Sequence, residues 1–138
     1  MRALASLLFL TMLLCPVASF GHAQGPSVPK AELQIPKGWE RSSPTRFTLK
    51  DFETAFRHWQ KELDSGHQPW RMEPANAAAA CLLDFGIQDS SDVLYLAQRL
   101  VVVQPGKQYR ITLAATTYII SIKVKHRIPI AYKLSVQK

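Results

Sequence analysis

YRITLAATTYIISIKVKHRIPIAYKLSV, residues Tyr109–Val136, decides the fold class. Tyr109, Ile111 and Leu113 alternate with Arg110 and Thr112. Ile120, Ile122 and Val124 alternate with Ser121, Lys123 and Lys125, and Ile130, Tyr132, Leu134 and Val136 with Ala131, Lys133 and Ser135. A strand turns successive side chains to opposite faces, so a period of two reads as strands with one apolar face. Pro105-Gly106 supplies one hairpin turn and His126-Arg127 another. A further strand is expected within Val93–Val103, where the wholly apolar run Leu100–Val103 leaves its inward face open. The segment therefore predicts a four-stranded antiparallel meander. Its outer face would carry Arg110, Lys123, Lys125 and Lys133, set in register by the alternation itself.

Upstream the period changes to 3.6. Leu49, Phe52, Phe56, Trp59 and Leu63 fall in steps of three and four, one stripe of an amphipathic helix. Thr48 and Asp51 have the spacing of a capping box before it, and Gly66 is a stop after it. His67–Arg71 reads as a loop. Pro74 suits the first turn of a second helix, continued by Ala77–Leu83 and ended by Gly86. An apolar helix stripe and an apolar sheet face are two halves of one core. The expected architecture is α+β, two N-terminal helices packed on one face of the four-stranded meander. That order is similar to the helix-on-sheet topology of the cystatin-like folds, with Leu100–Gly106 in the place of the first inhibitory hairpin of cystatins. The Gln-x-Val-x-Gly pattern and the paired C-terminal cysteines of secreted cystatins are absent, so the resemblance implies a topology and no site residue.

The first residues read as an export signal. Arg2 precedes the uncharged apolar run Ala3–Leu14, shorter than the about 20 residues needed to span a bilayer. Pro16 follows, and small residues Gly21 and Ala23 favour cleavage before Gln24, with Val17 and Ser19 offering an earlier cut before Phe20. Residues 1–23 are thus expected to be removed, 24–44 to form a proline-rich extended leader, and 45–138 to fold as one domain without a transmembrane segment. Leu33, Ile35 and Trp39 could lay a short edge strand or clasp on it. The mature chain would work in the periplasm or outside the cell. Cys15 leaves with the signal, so Cys81 remains alone and no internal disulfide can form.

The formal charge of +7 is unevenly spread: the 46 residues Val93–Lys138 hold eight Lys/Arg and no acid. This points to an anionic partner for the basic strands: a glycan, a lipid headgroup or an acidic protein. Nucleic acid ranks lower, because Tyr109 and Tyr132 share the apolar face rather than the basic one. Trp70 and Arg71, side by side in a loop, are a second candidate, an aromatic with a cation for a carboxylate or phosphate. Cys81 lies mid-helix, where nothing lowers a thiol pKa, and His126 lies on an expected exposed turn, so a cysteine nucleophile is disfavoured. His58 and Glu62 share a helix face with His67 nearby, but they lack the further ligands a zinc site requires. No catalytic set and no cofactor motif is visible. The expectation is a non-catalytic exported binding protein. A structural or envelope-assembly component, working through hydrophobic sheet edges or the leader, is the alternative, and a hydrolase comes third.

Overall fold

The computed structural model describes residues 33–87 and 92–138. The expected export signal, its expected cleavage positions and the start of the expected leader lie outside the described residues. Among those described, six strands form one antiparallel sheet: β1 (Trp39–Ser43), β2 (Arg46–Leu49), β3 (Val101–Gln104), β4 (Gln108–Leu113), β5 (Thr116–Lys125) and β6 (Ile128–Gln137). Their spatial order is β1-β2-β6-β5-β4-β3. Three α-helices, α1 (Phe52–Asp64), α2 (Pro74–Asp84) and α3 (Val93–Arg99), and a 3-10 turn at Pro69–Met72 complete the elements of the described residues.

This corrects the expected architecture while leaving the α+β class in place. β3 to β6 do run as a meander, but a β1–β2 hairpin precedes all the helices and joins the sheet beside β6, pairing Phe47 with Leu134. Four-residue β2 is too short to display a period. The third helix takes the first half of the segment expected to be strand. Asp92 caps it, its carboxylate accepting from Leu94 N at 2.9 Å, and the chain turns extended only at Leu100. A sheet that begins with a hairpin and ends beside it is not the helix-then-meander order of the cystatin-like folds.

Local chemistry sets the element ends. Asp51, not Thr48, caps α1: its side chain accepts from the Thr54 N–H at 3.1 Å and the Thr54 hydroxyl at 2.6 Å. Hydrogen bonding to Thr54 holds the Asp51 carboxyl below its ordinary pKa. The C-terminus of α2 closes with Gly86 N donating to Leu83 O and Ile87 N to Leu82 O, both at 2.9 Å. That paired closure needs a left-handed residue, and Gly86 supplies it at φ +70°. The β4–β5 and β5–β6 hairpins turn on two residues each, Ala114-Ala115 and His126-Arg127, all four at positive φ. Both turns match the right-handed strand twist, but without the glycine or asparagine that usually occupies them.

The larger core lies between α2, α3 and the sheet. Phe47, Leu82, Phe85, Leu96, Ile120 and Leu134 are fully buried there. The four alanines Ala77–Ala80 are also buried, so the thin face of α2 lies close against its neighbours. Trp39 closes this core edge-on to Phe85, with ring centroids 5.0 Å apart, and Gln34 N donates to Phe85 O at 3.2 Å. Residues of the leader segment thus contribute a strand and a core tryptophan. A second, smaller cluster joins the α1 stripe to the tip of the β5–β6 hairpin, with Phe56 packed on Ile128 and Ile130.

Candidate functional site

Strand register places the polar residues in rows across one face of the sheet. One row runs Glu40, Thr48, Lys133, Ser121 and Gln108, across β1, β2, β6, β5 and β4. The next runs Arg46, Ser135, Ile119 and Arg110, and pairs Arg110 with Val101 of β3. Opposed residues in neighbouring strands lie on the same face, so these rows form one polar surface. Glu40 sits at its β1 end, and the cations Lys133 and Arg110 lie toward the other.

Two clefts open on the β4 side. One, of about 570 Å³, is lined by Gln104, Lys107, Gln108, Ser121, Lys123 and Tyr132, with the β3–β4 turn as a wall. Lys107 N donates to Gln104 O at 3.0 Å across Pro105-Gly106, which fixes that wall. Ser121, only 7% exposed, forms the floor, and Gln108 Nε2 reaches its hydroxyl at 3.5 Å. The other cleft, of about 330 Å³, is bordered by Arg99, Val101, Arg110, Thr112, Thr117 and Gln137. Thr112 and Thr117 share a hydrogen bond of 2.8 Å at its base. Neither lining includes a carboxylate, a histidine or a cysteine.

The structure separates the four basic residues expected together. Arg110 is exposed and borders the smaller cleft, and Lys133 is half-buried in the row beside Ser121. Lys123, exposed at the rim of the larger cleft, and Lys125 direct their ammonium groups over rings of α1. Lys123 Nζ lies 4.6 Å from the Phe52 ring centroid and Lys125 Nζ 4.5 Å from that of Phe56. Lys125 also donates to Glu53 Oε2 at 2.6 Å, and this hydrogen bond holds the Glu53 carboxyl below its ordinary pKa. Their strand partners explain the arrangement: Lys123 opposes Ile130 and Lys125 opposes Ile128, the side of the hairpin that α1 covers.

Trp70 and Arg71 are also employed within the fold. The Arg71 guanidinium stacks 3.5 Å from the Trp59 ring centroid and lies 5.7 Å from that of Trp70. Its side chain is 13% exposed, its Nε has no partner, and Asp84 stands 3.8 Å away. Burial lowers the Arg71 pKa against the opposing pull of Asp84, while desolvation raises that of Asp84 against Arg71. Cys81 is buried, and desolvation pushes its thiol well above the ordinary range. His67 pairs with Glu62 at 3.4 Å, whereas His58 packs on Trp59. Among the described residues no three His, Cys, Asp or Glu side chains converge as metal ligands, and no helix is long and apolar enough to cross a membrane.

Alternation already put Gln108 and Ser121 on this face without marking them as site residues, and Arg46 and Lys107 were missed as members of it. Arg46 lies on a strand with no period to read, and Lys107 follows a turn whose position on a cleft wall depends on the pairing of β4 with β5. No protein family matches this chain, and comparison with characterised proteins and with solved structures gives no match either.

Proposed function

We propose that this chain is an exported, non-catalytic binding domain whose polar sheet face takes an acidic glycan. One observation carries the reading: both clefts on that face are rimmed by cations, Lys107 and Lys123 on one and Arg99 and Arg110 on the other, and neither is lined by an acid. The larger cleft falls in the size range of ligand sites. Its amides, hydroxyl and Tyr132 suit a ligand rich in hydroxyl groups, with Lys107 placed for a carboxylate or sulfate. Gln108 and Thr112 stand four residues apart on β4, about 13 Å along the strand, so an extended chain can engage both clefts. The linings hold no carboxylate or histidine to pair with Lys107, Lys123 or Tyr132 as an acid–base set, which favours binding over catalysis.

The test is binding of the full chain to a sulfated glycan and a polyuronate across a salt series, with Lys107→Glu and Arg110→Glu beside wild type. Affinity that weakens with salt and falls about tenfold or more in either variant supports the reading. Equal affinity in all three proteins removes it. Circular dichroism of each variant is the control for folding, and Lys125 is left intact because its side chain holds α1 through Glu53.

A further inference from the structure

The sheet has two edges, and they are built differently. β1 at one edge presents Glu40 and Arg41, whereas a pairing irregularity, between Arg41 and Ser43 in β1 and between Val102 and Gln104 in β3, is common to both edges. Charges on an edge strand discourage pairing with another chain. β3 at the other edge reads Val-Val-Val-Gln, and its valines are 51%, 54% and 46% exposed. An edge strand leaves alternate N–H and C=O groups directed away from its neighbour, here outward from β4. The pairing skips Val103, so the regular part of the edge is short.

The charges around this edge identify what can lie along it. Lys107 stands on the turn that follows β3, Arg110 sits opposite Val101, and the whole segment Val93–Lys138 holds no acid. A second copy paired edge to edge would bring two such basic sets together. We infer that β3 is a strand-addition site for a short extended segment of an acidic partner protein, with alternating β-branched and acidic residues. Main-chain hydrogen bonds to the β3 edge supply affinity in this mode, and the flanking cations select for charge. The added strand lies in the plane of the sheet, whereas the clefts open from its face. The two readings share Lys107 and Arg110, but the β3 main-chain hydrogen bonds belong to this one alone, so the N-methylated peptide tests it separately from glycan binding.

The test uses the full chain and three short synthetic peptides of one alternating design: Val with Glu, Val with Lys, and the Glu peptide N-methylated at alternate residues. The Glu peptide is expected to bind, to weaken with salt, and to protect the amides of Val101–Gln104 from hydrogen exchange. The Lys and N-methylated peptides are expected to bind at least about tenfold more weakly. Val103→Pro removes a main-chain N–H of β3 at the residue that the β3–β4 register skips and should lower affinity for the Glu peptide similarly. The N-methylated peptide asks the same question of the unaltered protein, should that variant fail to fold. No binding of the Glu peptide, or equal binding of its N-methylated form, overturns strand addition. Protection of β3 that rises with protein concentration in the absence of peptide assigns the edge to a second copy and overturns the acidic partner.

Discussion

Removing the positive charge of Arg71 should leave the fold almost as stable as before, although that charge sits in its interior. Two contributions favour the guanidinium. Stacking on Trp59 at 3.5 Å, largely away from water, is worth about 2 kcal/mol. The Asp84 pair adds about 0.5 kcal/mol, because 58% of that side chain is open to solvent and screened. Against them stands Nε, buried without a partner, at about 1–3 kcal/mol. Those figures leave between about 1.5 kcal/mol in favour and about 0.5 kcal/mol against, and the cost of taking the charge out of water brings the balance toward zero. Arg71→Met keeps an unbranched side chain against Trp59 and deletes both the charge and the orphaned donor, so stability should move by less than about 1 kcal/mol. Arg71→Ala also removes the side-chain stem, and should cost about 2 kcal/mol, the low end for truncating a buried side chain. Urea unfolding followed by circular dichroism measures both. A loss above about 3 kcal/mol in Arg71→Met would refute the argument, because the charge would then hold the fold through a contact stronger than any described here. Glycan affinity should be unchanged in both variants.

The acid limb of stability should report on α1. Asp51 and Glu53 have pKa values held below 3.8 and 4.5, so the stability they confer is present above those values and is lost as pH falls through the depressed ones. Asp84, raised by desolvation, contributes in the opposite sense and recovers stability as it protonates. A pH series of melting temperatures should therefore fall below about pH 4.5, and fall less in Glu53→Gln; an identical slope in that variant would place the acid sensitivity elsewhere. Separately, Ala114-Ala115→Asn-Gly should stabilise the protein by about 1 kcal/mol, because both alanines sit at positive φ where L side chains are disfavoured. A lower melting temperature in that variant would mean the turn is not of this type.

The parts of the fold legible in the sequence were those with long periods. β4, β5 and β6 alternate over enough residues to reveal a face, and the α1 stripe runs for three turns, so both could be read directly. The β1–β2 hairpin could not. Its strands are five and four residues long, and Pro26, Pro29, Pro36 and Pro44 dress the region as a linker. What makes it part of the domain is long-range: Trp39 against Phe85, and Phe47 between Phe85 and Leu134. α3 hid for a different reason. Val93–Arg99 and the strand after it share an apolar composition, and the boundary depends on the Asp92 cap rather than on any change of residue type.

The same limit governs what could be seen of the site. Alternation correctly puts Lys123 and Lys125 on the face opposite Ile122, but it says nothing about what covers that face. Whether a basic strand residue meets water or an aromatic ring depends on where α1 lands, a contact between Glu53 and Lys125 that spans 72 residues. Once α1 is in place, two of the four expected cations lie over its aromatic rings, Lys123 still at the rim of the larger cleft, and further cations, Lys107 and Arg99, border the clefts beside β4. The consequence for any binding experiment is specific. A charge reversal at Lys125 sets a carboxylate against Glu53 and disturbs α1, so lost binding there would not distinguish a ligand contact from a weakened fold. Reversal at Lys107, on an exposed turn, or at Arg110, on the open polar face, carries no such ambiguity.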